Sequence, residues 1–120
     1  MKKKIQLNER IFVAGASGMA GSAICRKLIK LGYGDYSNNG LLLTPSRKEL
    51  NLLDKQEVIR WFQTNNPSVV ILAAAKVGGI MANKSSPADF LLENLNIQIN
   101  VIEAAWRNKV KRFLFLGSSC

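Results

Sequence analysis

Hydrophobic positions along the chain alternate between two periods. Arg10-Ile11-Phe12-Val13-Ala14 is short and apolar after its first residue, which suits a strand buried on both faces of a parallel sheet. Past a group of glycines, Met19, Ala20, Ala23, Ile24, Leu28 and Leu31 recur at helical spacing, and Gly32 ends the run. Tyr33–Gly40 is polar and glycine-containing, hence a loop, and Leu41–Thr44 is a second strand closed by Pro45. Asp54, with Glu57 three residues on, opens a helix of capping-box type that runs to about Asn65, with Val58, Trp61 and Phe62 inward; Asn66-Pro67 breaks it. Val69–Ala73 is a third strand and Ala75–Asn83 a loop. Ser86-Pro87-Ala88-Asp89 starts a helix reaching Trp106 or Arg107, and Lys111–Leu116 is a fourth strand.

The order β-α-β-α-β-α-β predicts an α/β fold: a Rossmann-like, doubly wound parallel sheet with right-handed crossovers, strand order 3-2-1-4, and a ligand at the carboxyl ends of the strands. Residues 1–9 are expected to be a basic tail and 10–120 a dinucleotide-binding domain, incomplete because later strands and a substrate domain do not follow.

Composition narrows the class. The 120 residues, 48% hydrophobic and 21% charged, fit one globular domain. The apolar runs are strand-length, so no membrane span is expected. Met1-Lys2-Lys3-Lys4 lacks a following apolar stretch, which points to the cytoplasm. Two cysteines far apart and no histidine argue against a metal site. The net charge of +9 favours anionic partners, but the cations are dispersed rather than gathered into a nucleic-acid-binding stripe.

Four stretches carry candidate chemistry. Gly15-Ala16-Ser17-Gly18-Met19-Ala20-Gly21 lies between the first strand and helix with G-x-x-G-x-x-G spacing. Such glycines serve a tight turn, close approach of a pyrophosphate, and close packing of the helix, whose N–H groups then meet the phosphates. At the end of the second strand, where an NAD enzyme usually carries an acid for the ribose 2′-hydroxyl, stand Ser46-Arg47-Lys48; arginine there grips a 2′-phosphate and favours NADP, the alternative being a solvated turn balanced by Glu49. Leu72-Ala73-Ala74-Ala75 offers small residues at a strand end, either to a flat cofactor ring or to helix packing. Gly117-Ser118-Ser119-Cys120 follows the fourth strand, where a serine can donate to a substrate oxygen and a cysteine can act as acid or base, or both can be ordinary loop residues. Asn94, Asn96 and Asn100 are poor residues for a helix interior; surface exposure is the main expectation, the alternative being that one of them contacts backbone or a ligand.

The glycine motif, with Arg47–Asp54, Leu72–Gly79, Pro87–Phe90 and Phe115–Cys120, resembles the extended short-chain dehydrogenase/reductase family from about Arg10 onward. It is most similar to a member that epimerises GDP-4-keto-6-deoxy-D-mannose at C3 and C5 and reduces C4 with NADPH. The resemblance implies that Gly15, Ala16, Ser17, Gly18, Met19, Ala20 and Gly21 hold the NADP pyrophosphate and that Arg47 meets the 2′-phosphate. Asn51 and Leu52 would lie near adenine, and Leu72, Ala73, Ala74, Leu116, Gly117 and Ser118 would line the cofactor. Ser118 would polarise the C4 carbonyl and Cys120 would act as acid/base in epimerisation. The GDP-sugar is then the substrate of the complete enzyme, which is expected to be a homodimer. The family's Tyr-x-x-x-Lys and the histidine partner of its cysteine are absent, and Ala16 and Ser17 stand where many bacterial members have a basic residue. The 120 residues alone are therefore expected to be inactive. The contrasting readings are a non-catalytic dinucleotide-binding module and an epimerase or reductase of another nucleotide sugar.

Overall fold

The computed structural model describes residues 5–73 and 87–116. Strands β1 (Arg10–Ala14), β2 (Leu41–Leu43), β3 (Val69–Leu72) and β4 (Arg112–Phe115) alternate with helices α1 (Met19–Lys30), α2 (Lys55–Asn65) and α3 (Pro87–Arg107). The expected loop before β2 contains one 3₁₀ turn, Tyr36–Asn38.

The four strands form one parallel sheet in the order β2-β1-β3-β4. This corrects the expected 3-2-1-4, which put the third strand outside the second. Val69, Val70, Ile71 and Leu72 are 0–5% exposed and need neighbours on both edges and both faces. An edge beyond β2, whose three residues are all half-buried, offers no such place; the position between β1 and β4 does.

The order also fixes the layers. The chain moves one way from β1 to β2 and the other way from β2 to β3, so right-handed crossovers put α1 and α2 on opposite faces. Two cores result. Ile11, Val13, Val69 and Ile71 pack with Leu28 of α1, while Phe12, Ala14, Val70 and Leu72 pack with Val58 and Phe62 of α2 and Val101, Ala104 and Ala105 of α3. Alternate residues of β1 and β3 thus face opposite layers, which explains their unbroken apolar sequences.

The helix boundaries follow local chemistry. Gly32 at φ 96° closes α1, with Tyr33 N–H donating to the Leu28 carbonyl. The Asp54 carboxylate accepts from Glu57 N–H at the start of α2, and Asn66 ends it in the left-handed region. The inner face of α1 is narrower than its spacing predicts: Leu28 is buried and Ile24 and Cys25 are half-buried, whereas Met19, Ala20, Ala23 and Leu31 are exposed. Ile5 packs on the α1 core, its carbonyl accepting from the Tyr33 hydroxyl, and Glu9 is buried against Lys111, so residues 5–9 are packed onto the domain rather than solvated as a tail.

Candidate functional site

The winding direction reverses between β1 and β3, and a sheet of this kind opens a crevice at the carboxyl ends of those two strands. The glycine turn leaves β1 at this point. Gly15 has φ 88°, the left-handed region that glycine enters without strain, and its carbonyl accepts from Gly18 N–H. A Cβ on Gly21 would collide with the Gly15 carbonyl, so the first turn of α1 rests directly on the loop. A Cβ on Gly18 would meet the protein only at ordinary contact distance, 3.5 Å from that same oxygen. Internal packing therefore does not require glycine at 18.

Gly18 is the N-cap of α1 and supplies no side-chain cap, and no acid lies in the first turn. The first helical hydrogen bond runs from Ser22 N–H to the Gly18 carbonyl, leaving the N–H groups of Met19, Ala20 and Gly21 ahead of it. Uncapped amides and the positive end of the helix dipole favour an anion there. Ser17, Gly18, Met19 and Ala20 are exposed, while Ala16 packs on the α1 core.

Arg47 and Lys48 sit on the turn after β2, the strand beside β1, so they share the carboxyl edge with the glycine loop. The turn is held by a reciprocal pair: Ser46 N–H donates to Glu49 Oε1 at 2.9 Å, and Glu49 N–H donates to Ser46 Oγ at 3.3 Å. Glu49 is thereby committed to the backbone, and no carboxylate pairs with Arg47 or Lys48 among the described residues.

The next segment is fixed just as closely. Leu50 is buried and Leu52 packs on the α2–α3 core. Asn51 Oδ1 accepts from Leu53 N–H, and Asn51 N–H donates to the Glu57 carboxylate. Asn100 of α3 donates from Nδ2 to the Leu52 carbonyl at 2.9 Å and is only 8% exposed. The expectation of surface exposure fails for Asn100, which lies on the same stripe as buried Ile97, Val101 and Ala104; it holds for Asn96, and Asn94 is half-buried. That spacing was the available signal for an inward asparagine.

The Leu72 side chain is buried in the core and can meet a ligand only through its backbone, whose carbonyl accepts from Leu116 N–H. Ala73 N–H donates to the Ala14 carbonyl, carrying the β1–β3 pairing to the crevice edge. Ala74, Gly117, Ser118 and Cys120 lie outside the described residues. Cys25 is half-buried on α1, and burial pushes its thiol up from the ordinary range. A shallow groove lined by Ile59, Gln63, Trp106, Arg107, Asn108 and Lys109 contains none of the candidate residues. Among the described residues no helix is long and apolar enough to cross a membrane, and no group of three or more His, Cys, Asp or Glu could hold a metal ion.

Comparison with known proteins places this geometry. GDP-L-fucose synthase from Escherichia coli K12 is 48% identical over 112 residues, 93% of this chain and 33% of that protein. GDP-L-fucose synthase 1 of Arabidopsis thaliana is 50% identical over 111 residues, 92% of this chain and 32% of that protein. The chain thus spans about a third of the length of the curated relatives it matches. Among solved structures, MlghC, a GDP-mannoheptose C4 reductase from Campylobacter jejuni with NADP bound, superposes with a TM-score of 0.82 at 40% identity, covering 94% of this chain and 34% of that one. Residues 11–120 match the NAD dependent epimerase/dehydratase family, and the chain belongs to it.

Proposed function

We propose that this chain is the NADP-binding part of a GDP-L-fucose synthase, an enzyme that epimerises GDP-4-keto-6-deoxy-D-mannose at C3 and C5 and reduces C4. The observation that carries the cofactor is Arg47, exposed and with no carboxylate partner among the described residues, on the turn where an NAD enzyme would place an acid. The uncapped start of α1 and the room above Gly18 fit a pyrophosphate held by backbone N–H groups from Gly15 to Gly21. Asn51 and Leu52 lie near adenine in this reading, and Leu72, Ala73, Ala74, Leu116 and Gly117 line the rest.

NADPH, when bound, supplies hydride to C4. Ser118 donates a hydrogen bond to the C4 oxygen and Cys120 moves protons at C3 and C5. The GDP-sugar is the substrate of the complete enzyme, which we take to be a cytoplasmic homodimer. Identities of 48% and 50% to two GDP-L-fucose synthases support this sugar. The likeness to a GDP-mannoheptose reductase supports a second reading, in which the cofactor half is the same and the sugar differs.

Calorimetric titration with NADPH and NADH tests the cofactor. NADPH is expected to bind more tightly, and Arg47→Ala to remove roughly tenfold or more of that preference, the size of a lost hydrogen bond to a charged group. Equal affinity for both cofactors would sink the assignment. Turnover of the GDP-4-keto sugar, against GDP-mannoheptose substrates, by the enzyme completed with its remaining strands decides the sugar.

A further inference from the structure

The Arg47 turn and the Asn51–Leu52 segment form one run of chain along the carboxyl edge, seated on the α2–α3 core by buried Leu50 and by Leu52. Ser46 and Glu49 tie the first part to itself, and Asn51 and Glu57 tie the second to the start of α2. Asn100, 48 residues away on α3, crosses to it with a buried hydrogen bond, its Nδ2 reaching the Leu52 carbonyl at 2.9 Å. The position is otherwise apolar, flanked by Ile97, Val101 and Ala104 in the core. Leucine or alanine would serve core packing there, and asparagine is a poor helix former, so its polar group needs a reason. No buried side-chain polar atom among the described residues lacks a partner, and the Leu52 carbonyl is the acceptor that satisfies Asn100 Nδ2.

We infer that Asn100 is a positioning residue for the adenosine end of the cofactor. By pinning Leu52 it sets the height of the 47–52 run over the sheet edge, without touching the ligand itself. The inference rests on the cofactor reading above and adds to it the device that presents the adenosine-side contacts. The pyrophosphate loop has its own support, the packing of Gly21 on Gly15, and does not depend on Asn100. The two ends of the cofactor therefore respond differently when Asn100 changes.

The experiment is an NMR titration of the chain and of Asn100→Asp, which keeps the shape but turns an oxygen toward the Leu52 carbonyl, using 2′-AMP and inorganic pyrophosphate as separate probes. The expected result is a loss of roughly tenfold in 2′-AMP affinity with pyrophosphate affinity unchanged, the size of effect that one orphaned buried carbonyl commonly has. In the unsubstituted chain, the Asn100 side-chain amide signal is expected to shift with 2′-AMP and not with pyrophosphate. That second measurement decides the matter if Asn100→Asp does not fold. Equal loss for both probes, unchanged 2′-AMP affinity in a folded variant, or an Asn100 amide blind to 2′-AMP overturns the positioning role. If the unsubstituted chain binds neither probe nor NADPH, the cofactor reading itself fails and this inference falls with it.

Discussion

Gly21 shows how one missing side chain shapes the site. Its hydrogen stands where a methyl group would meet the Gly15 carbonyl, and that carbonyl is also the acceptor that closes the turn onto Gly18. Gly21→Ala must push α1 away from the loop. The expected outcome is a loss of about 1–3 kcal/mol in urea unfolding, as overpacking commonly costs, together with weaker NADPH binding. Unchanged stability and affinity would mean that the loop yields freely. The motif's spacing makes this position legible in the sequence, because a strand–turn–helix junction needs close packing there. Asn100 was not legible in the same way. Its helix and its place on an apolar stripe were, and a backbone contact was open to it, but the carbonyl it serves, that of Leu52, is 48 residues distant.

At the scale of elements, α3 is tied to the start of α2 at two levels. Asn100 reaches Leu52, and one turn later Glu103 pairs with Lys55 at 3.2 Å and with Arg107 at 2.8 Å. The Lys55 hydrogen bond, with a smaller part from Arg107, holds the Glu103 carboxyl below its ordinary 4.5. A carboxylate whose value is lowered by folding stabilises the fold above its unfolded value, and that contribution is lost as pH falls through the folded value. Melting temperature is therefore expected to decline more steeply below pH 4.5 in the native chain than in Glu103→Gln. The difference should be small, because Lys55 is exposed and Glu103 only half-buried, and it should shrink in high salt. Parallel acid profiles would show that the pair contributes nothing. Sequence periodicity located both helices and the Asp54 cap, since those are decided within a few residues. It could not bring Lys55 to Glu103, a pairing between elements.

For the whole molecule, Phe62 stands at the centre of the larger core, fully buried and set edge-on to both Phe12 and Trp61 with ring centroids 5.6 Å apart. Phe62→Ala is expected to cost about 3–5 kcal/mol in chemical denaturation, because the surrounding strand and helices cannot collapse into the space. A cost below about 1 kcal/mol would show a core loose enough to refill itself. Beyond that core the surface is less settled. Phe115 of β4 is 49% exposed and Trp106 of α3 is 79% exposed, so an edge strand and a helix end both present apolar area to solvent.

The alternation of strands and helices, their limits to within a residue or two, the glycine turn, and Arg47 in place of an acid are all legible in the chain alone. Each of these is written in near neighbours: a period, a cap, a breaker, a short motif. Tertiary structure alone decided that β3 lies beside β1 rather than beyond β2, because strand order depends on which strand can be covered on both faces and both edges. It alone decided that residues 5–9 pack on the domain, that Leu72 faces the core, and that Glu49 serves the backbone of Ser46 instead of neutralising Arg47. The physical reason is common to all four. Burial and hydrogen-bond partners are properties of what the folded chain brings together, and local composition leaves several such meetings open until the sheet closes them.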